Sequence, residues 1–158
     1  MSRFEIIEAK THHCGQIIRR LRDEHQAAIL GLGISSHHAI RSNFDGSTFR
    51  KAWLIDGHLA GLGGITGPAL SSEGFIWLAL TNEAASHPYA VTREAIRQIA
   101  EIMILKRTLY THLIPEDKVA LRFATRLGFE VINSTPIPIG RGHVISVRYS
   151  REPAEKVA

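Results

Sequence analysis

Glu116-Asp117-Lys118-Val119-Ala120-Leu121-Arg122-Phe123-Ala124-Thr125-Arg126-Leu127-Gly128-Phe129 is the stretch on which the fold reading turns. Pro115, Glu116 and Asp117 predict the start of a helix. They put acids at the positive end of its dipole, and Arg122 and Arg126 fall towards the negative end. Val119, Ala120, Phe123 and Leu127 recur at helical spacing and predict its inward face. Gly128 is placed to end the helix as a left-handed cap, so that Phe129 opens an extended segment.

Upstream, Thr108–Leu113 reads as a strand feeding this helix. Before it, Val91, Ala95, Ile99 and Met103 define one face of another helix, opened by His87-Pro88. Proline suits a first helical turn because its missing N–H would have no partner there. Gly74-Phe75-Ile76-Trp77-Leu78-Ala79-Leu80 is apolar almost throughout, the signature of a strand covered on both faces. Phe49–Ile55 and His58–Ile65 flank Asp56-Gly57, a pair suited to a two-residue hairpin turn. Gly61, Gly63 and Gly64 in the second arm mark a bulge or a close backbone approach.

Further out, Phe4–Ala9 predicts a first strand. Cys14, Ile17, Ile18, Leu21, Ala28, Ile29 and Leu32 predict one helix capped by Thr11 and ended by Gly31 and Gly33. Ser35 or Ser36 caps a short second helix. Downstream, Phe129–Ile132 and Val144–Tyr149 are the closing strands, the second entered through Gly140-Arg141-Gly142. The order is therefore β-α-α-β-β-β-α-β-α-β-β. It implies an α/β domain with a mixed, mostly antiparallel sheet of six to seven strands and helices on both faces.

The chain has 158 residues, 44% of them hydrophobic, enough for one core. We expect a single domain over residues 1–150 and a polar tail over 151–158. No apolar run approaches the roughly 18 residues of a membrane span. Met1–Glu5 has no secretory apolar core. With a single cysteine, Cys14, this predicts a cytoplasmic protein. The net charge of +4 favours a phosphorylated ligand and only weakly a nucleic acid. His12-His13 and His37-His38 are adjacent pairs whose side chains diverge on a helix, so no metal site is expected. Cys14 reads as a small core residue, and Trp53, Phe75 and Trp77 as sheet core. Gly61-x-Gly63-Gly64 lacks the helix that a dinucleotide-binding turn requires.

The element order and the Ala120…Phe123…Leu127-Gly128-Phe129 ending resemble the GCN5-related N-acetyltransferase (GNAT) superfamily across essentially the whole chain. Its usual last-helix pattern is Asn-x-x-Ala-x-x-Phe-Tyr-x-x-Leu-Gly-Phe. The resemblance implies an N-acyltransferase that uses acetyl-CoA or a related acyl-CoA as co-substrate and a small-molecule or protein amine as acceptor. It implies that the strand through Leu78 and Leu80 splays from its neighbour and pairs with pantetheine. The turn His87-Pro88-Tyr89-Ala90-Val91-Thr92 would then hold the pyrophosphate, with Arg93 beside it and Asp117 at the family's Asn place.

Departures from the pattern are equally specific. His87 stands where the family has Arg or Gln, and Ala90 and Thr92 replace the two small loop residues. Ala124 replaces the tyrosine that often protonates the leaving thiolate. The candidates for the base that deprotonates the amine are Glu73 and Glu83. Short fragments (Leu21–Glu24, Asp56-Gly57, Trp77-Leu78, His87-Pro88, Leu127–Phe129, Gly140–Gly142) are also similar to GNAT-like proteins of tailed phages and prophages, including internal virion proteins. They imply the alternative of a catalytically degenerate structural or interaction protein. Neither membrane nor nucleic acid is the expected partner, and a homodimer is compatible with the sequence.

Overall fold

The computed structural model describes residues 3–150, with the side chains at 133 and 134 left out. The expected tail over 151–158 lies outside the described residues. Seven strands form one sheet in the order β1-β2-β3-β4-β5-β7-β6. They are β1 (Phe4–Glu8), β2 (Ser47–Ile55), β3 (His58–Thr66), β4 (Glu73–Leu80), β5 (Thr108–Leu113), β6 (Glu130–Ile139) and β7 (Gly142–Ser150). Every pairing is antiparallel except β4 with β5, which is parallel. This is the mixed, mostly antiparallel sheet that the element order implies.

Helices cover both faces. On one, α1 (Thr11–Arg19), α2 (Asp23–Gly31) and α3 (Ser36–Asp45) bury Cys14, Ile17, Ile29, Ile40 and Phe44 against Leu62, Trp77 and Ala79. On the other lie α5 (Pro88–Ile102), preceded by a single turn α4 (Asn82–Ala85), and α6 (Lys118–Leu127). There Val91 and Ala95 pack with Trp53, Ile55 and the half-buried Leu78 and Leu80. Ile99 and Met103 pack with Leu109, Ala124 and Val147. Alternation along β4 decides this division: Phe75, Trp77 and Ala79 face α1–α3, while Ile76, Leu78 and Leu80 face α5 and α6.

The hairpin turn is as read. Asp56 (φ 50°) and Gly57 (φ 81°) both take positive φ. Gly128 caps α6 at φ 108°, Ser35 accepts the His38 N–H, and Pro88 stands in the first turn of α5. The glycines of β3 serve a close approach. A Cβ on Gly63 would lie 2.8 Å from the Trp77 carbonyl, and one on Gly64 would strike the Phe49 carbonyl.

Five expectations need correction. The single helix read from Cys14 to Leu32 is broken at Arg20–Arg22, because that segment pairs with the end of β4. Leu21 bridges Thr81, the Arg22 N–H donates to the Leu80 carbonyl at 2.9 Å, and the Asn82 N–H donates to the Arg20 carbonyl at 3.2 Å. Lys10, not Thr11, stands at the N-cap of α1, with no side-chain capping bond of its own; its N–H donates to His13 Nδ1 at 2.8 Å. The strand after α6 runs on through Pro136 and Pro138 to Ile139. β6 is the sheet edge, where a proline costs no ladder bond on its open side. Finally, β4 is not covered on both faces along its whole length: Phe75, Ile76, Leu78 and Leu80 are only half-buried. Val119, read as inward-facing on α6, is 40% exposed, and Ala120 and Phe123 are half-buried. These residues border a large opening rather than closed core.

Candidate active site

The opening begins where two neighbouring strands part. β4 and β5 are paired only at Glu73↔Thr108, Gly74↔Leu109 and Phe75↔Tyr110. Beyond that point β4 stays with β3 as far as Leu80, and β5 stays with β7 as far as Leu113. The Leu80 carbonyl points into the fork, since it accepts from Arg22 rather than from β3. By the two-residue alternation of a strand, the peptide group of Leu78 turns the same way. It has no strand beside it. A cavity of about 1180 Å³ fills the fork. Its wall includes Leu78 and Leu80 from β4, Val91 and Thr92 from α5, and Ala120 and Phe123 from α6.

The first turn of α5 stands at this end of the sheet. His87 is its N-cap without a side-chain capping bond, and the first intrahelical bond runs from the Val91 N–H to the His87 carbonyl. Pro88 has no N–H, so the Tyr89 and Ala90 amides are the ones with no helical carbonyl behind them. Among the described residues, Asp56 alone combines a side chain with positive φ. The 87–92 turn therefore needs no glycine for its backbone angles, whatever the clearance an anion requires. Val91 and Thr92 line the cavity wall, whereas His87, Tyr89, Ala90 and Arg93 do not. Tyr89 is 78% exposed, with the Arg93 guanidinium over its ring at 5.7 Å.

Neither candidate carboxylate reaches the cavity wall. Glu73 sits at the end of β4 that is still paired with β5, where it accepts the Tyr110 hydroxyl at 3.0 Å. Glu83 is on α4, 3.9 Å from the His87 imidazole. Asp117 does line the cavity, but its oxygens are already engaged. Arg22 donates to them in bidentate fashion at 3.2 and 2.7 Å, and the Ala120 N–H adds a capping bond at 3.2 Å. Both partners are buried, Arg22 at 8% and Asp117 at 3% exposure. Arg22 also reaches Glu24 at 3.2 Å.

Sequence reading missed two cavity groups near this ion pair and across the fork. His25, half-buried on α2, has its pKa lowered to about 4, first by burial and then by the Arg22 charge, with Asp117 opposing. The unfolded chain therefore takes up a proton between pH 6.5 and about 4 that the folded chain refuses. Stability falls as pH drops through that window, by about 3 kcal/mol at its lower end. His25→Gln is expected to remove that part of the loss. Chemical denaturation of both proteins at pH 7.5 and pH 4.5 measures it, and equal acid sensitivity would exclude His25 as the cause.

The second group is His112 on β5. It is two residues past the last β4–β5 pair, on the α1–α3 face, with its ring edge-on to Phe75 at 5.1 Å. It lines the cavity, and desolvation lowers its pKa. The side chain is exposed, and among the described residues its ring nitrogens have no hydrogen-bond partner. Nothing in the local sequence Tyr-Thr-His-Leu marked it. Register and splay are what expose it. Cys14 is buried, its thiol pKa raised by burial. Among the described residues no group of three His, Cys, Asp or Glu side chains could hold a metal ion, and no helix is long and apolar enough to cross a membrane.

No family model and no curated protein matches the chain. Solved structures do. The chain is similar to the spermidine N-acetyltransferase from Vibrio cholerae in complex with CoA and spermine, with a TM-score of 0.68 and 11% identity, covering 94% of this chain and 95% of that one. It is similar to the ribosomal-protein-S18-alanine N-acetyltransferase from Escherichia coli (TM-score 0.64, 15% identity, 98% and 97% covered). An acetyltransferase of the GNAT family from Streptococcus pneumoniae is also similar (TM-score 0.57, 12% identity, 94% and 99% covered). The class is thereby defined: this chain has the GNAT fold. At such identities the likeness establishes the architecture, and the chemistry must be argued from the fork itself.

Proposed function

We propose that the protein is an N-acyltransferase that moves an acetyl or related acyl group from acyl-CoA to an amine. The observation that carries this is the fork: a parallel strand pair that parts after Phe75 and Tyr110 and leaves the Leu78 peptide group facing a large cavity. An extended pantetheine can add to that open edge as a strand does, along Leu78 and towards Leu80, whose carbonyl is already held by the Arg22 N–H. The pyrophosphate then falls at the start of α5, where the Tyr89 and Ala90 amides and the helix dipole favour negative charge. Val91 and Thr92 form that turn's inner wall, with His87 and Arg93 on its outer side. Asp117 is held by Arg22, so its part is to fix the start of α6 and not to contact the cofactor through a free carboxylate.

The Leu78 N–H is placed to polarise the thioester carbonyl as negative charge develops on its oxygen. The amine nitrogen attacks the carbonyl carbon, its proton passes to the neutral His112 imidazole, and the C–S bond breaks. His112 suits this better than His25, because a base with a pKa near 4 has little affinity for the proton at neutral pH. Glu73 and Glu83 would need a rearrangement to take part. With Ala124 in the tyrosine place, CoA departs as a thiolate, a competent leaving group with an ordinary thiol pKa of about 8.5.

Thermal unfolding with acetyl-CoA tests the reading. Ligand at 100 times its Kd adds about 2.7 kcal/mol, a rise in Tm of about 5–10 °C for a chain of this size. An unchanged Tm at millimolar acetyl-CoA would overturn it. That result would instead support a non-catalytic GNAT-fold interaction protein, phage-associated as the short fragments imply. The specific observations favouring this second reading are Ala124, buried at 7% exposure, and the missing loop glycines.

A further inference from the structure

We infer that the acceptor is a small primary amine carried on an apolar body and bearing a single positive charge, seated on the α1–α3 side of the fork; this rests on the acyltransferase reading above. The two sides of the cavity differ in chemistry. On the α5–α6 side the wall is open strand edge and helix start. On the α1–α3 side it is built mainly from Ile29, Leu32, Ile34, Phe75 and Ile114, with Ile139 contributed by β6 and the polar His38, Ser42 and Asn43 by α3. Ile29 belongs to the core under α1–α3, and Ile34, Phe75 and Ile114 pack against that core.

Carboxylates decide the charge that this chamber accepts. Among the described residues only Glu24 and Asp117 line it from this side: Asp117 is buried in its pair with Arg22 at 2.7 Å, and the half-exposed Glu24 has one oxygen on Arg22 at 3.2 Å. Glu101, the remaining acid of the cavity wall, is on α5 and belongs to the other face. The other ionisable groups here are His25, His38 and His112. One ammonium can lose its proton to His112 and become the nucleophile. A second or third ammonium on the same molecule would be moved from water against isoleucine and phenylalanine with no buried, unpaired carboxylate to receive it.

The β6–β7 turn bounds the chamber on one side, which favours a small molecule over a polypeptide. The β6–β7 turn docks on the loop after α2: the Arg141 N–H donates to the Leu32 carbonyl at 2.8 Å. Gly140, at φ 55°, lies so close that a Cβ there would collide with the same carbonyl.

The test is acetyl transfer from acetyl-CoA, followed by thiol release and product mass, to 2-phenylethylamine, spermidine, kanamycin and an apolar hexapeptide with a free N-terminus. We expect kcat/KM for 2-phenylethylamine to exceed that for spermidine and kanamycin by on the order of 10–100-fold, the discrimination that an unpaired buried charge imposes. Ile34→Asp, which adds a carboxylate to the wall, is expected to shift the ratio towards spermidine at least about tenfold. The wild-type ratios decide the matter if that variant fails to fold. Equal or greater turnover of spermidine, kanamycin or the peptide overturns the inference. So does turnover of none of the four by a protein whose melting temperature acetyl-CoA raises. A protein that acetyl-CoA does not stabilise loses the acyltransferase reading itself, a distinct result from either of these.

Discussion

Replacing His112 by glutamine or alanine is expected to lower kcat by about 10²–10⁴-fold, the usual contribution of a positioned general base, with little change in acetyl-CoA affinity. The reason is the position of His112 just past the parting of β4 and β5, on the acceptor face, with its imidazole nitrogens unengaged among the described residues. Desolvation favours the neutral ring. The wild-type rate should therefore rise with pH through a pKa below 6.5 and be level above it as far as this group is concerned. The acid limb should vanish in His112→Gln, and imidazole in the buffer should restore part of the activity of His112→Ala. Glu73→Gln and Glu83→Gln are expected to stay near wild type, because both carboxylates lie off the cavity wall. Steady-state kinetics across pH 5–9 check all four variants. A His112→Gln enzyme within a few-fold of wild type, or a Glu73→Gln enzyme that is nearly dead, would assign the proton transfer elsewhere.

Arg22→Ala is expected to be the most damaging single change to stability. It leaves the Asp117 carboxylate buried at 3% exposure with one backbone donor in place of three. Breaking a buried pair in this way costs about 3–5 kcal/mol. In a chain of this length that is a fall in Tm of about 6–20 °C. The damage should extend to function, since the same residue's backbone N–H holds the Leu80 carbonyl at the end of the fork. An Arg22→Met/Asp117→Leu double variant separates pair from packing. Removing both charges together is often neutral or stabilising, so the double variant should melt much closer to wild type than either single one. A fall of under 2 °C for Arg22→Ala would show that the pair is dispensable.

Arg22 also illustrates what a linear reading can and cannot find. Leu21-Arg22-Asp23-Glu24 stood out as a fragment, but the spacing Cys14…Leu32 read as one continuous helix, and helical periodicity cannot announce a break that tertiary pairing causes. The break at Arg20–Arg22 exists because Leu21 bridges Thr81 and because Arg22 finds Asp117, 95 residues away. The strand after α6, read as ending at Ile132, runs on through Pro136 and Pro138. Prolines argue against a strand unless it is an edge, and the edge is a property of the finished sheet. His112 and His25 were passed over as ordinary histidines because what distinguishes them is what lies around them.

Sequence alone was sufficient for the features written in short-range chemistry. The Asp56-Gly57 turn, the proline-led start of α5, the Gly128 stop and the period-2 and period-3.6 apolar patterns are local. Together they dictated the mixed sheet with helices on both faces. Tertiary structure alone decided where the cavity is and what faces it. A fork needs two strands that pair for three residues and then separate, and no residue of β4 or β5 encodes the separation by itself. That separation exposes the Leu78 peptide group, places His112 on the α1–α3 side of the cavity and leaves Glu73 and Glu83 outside the cavity wall.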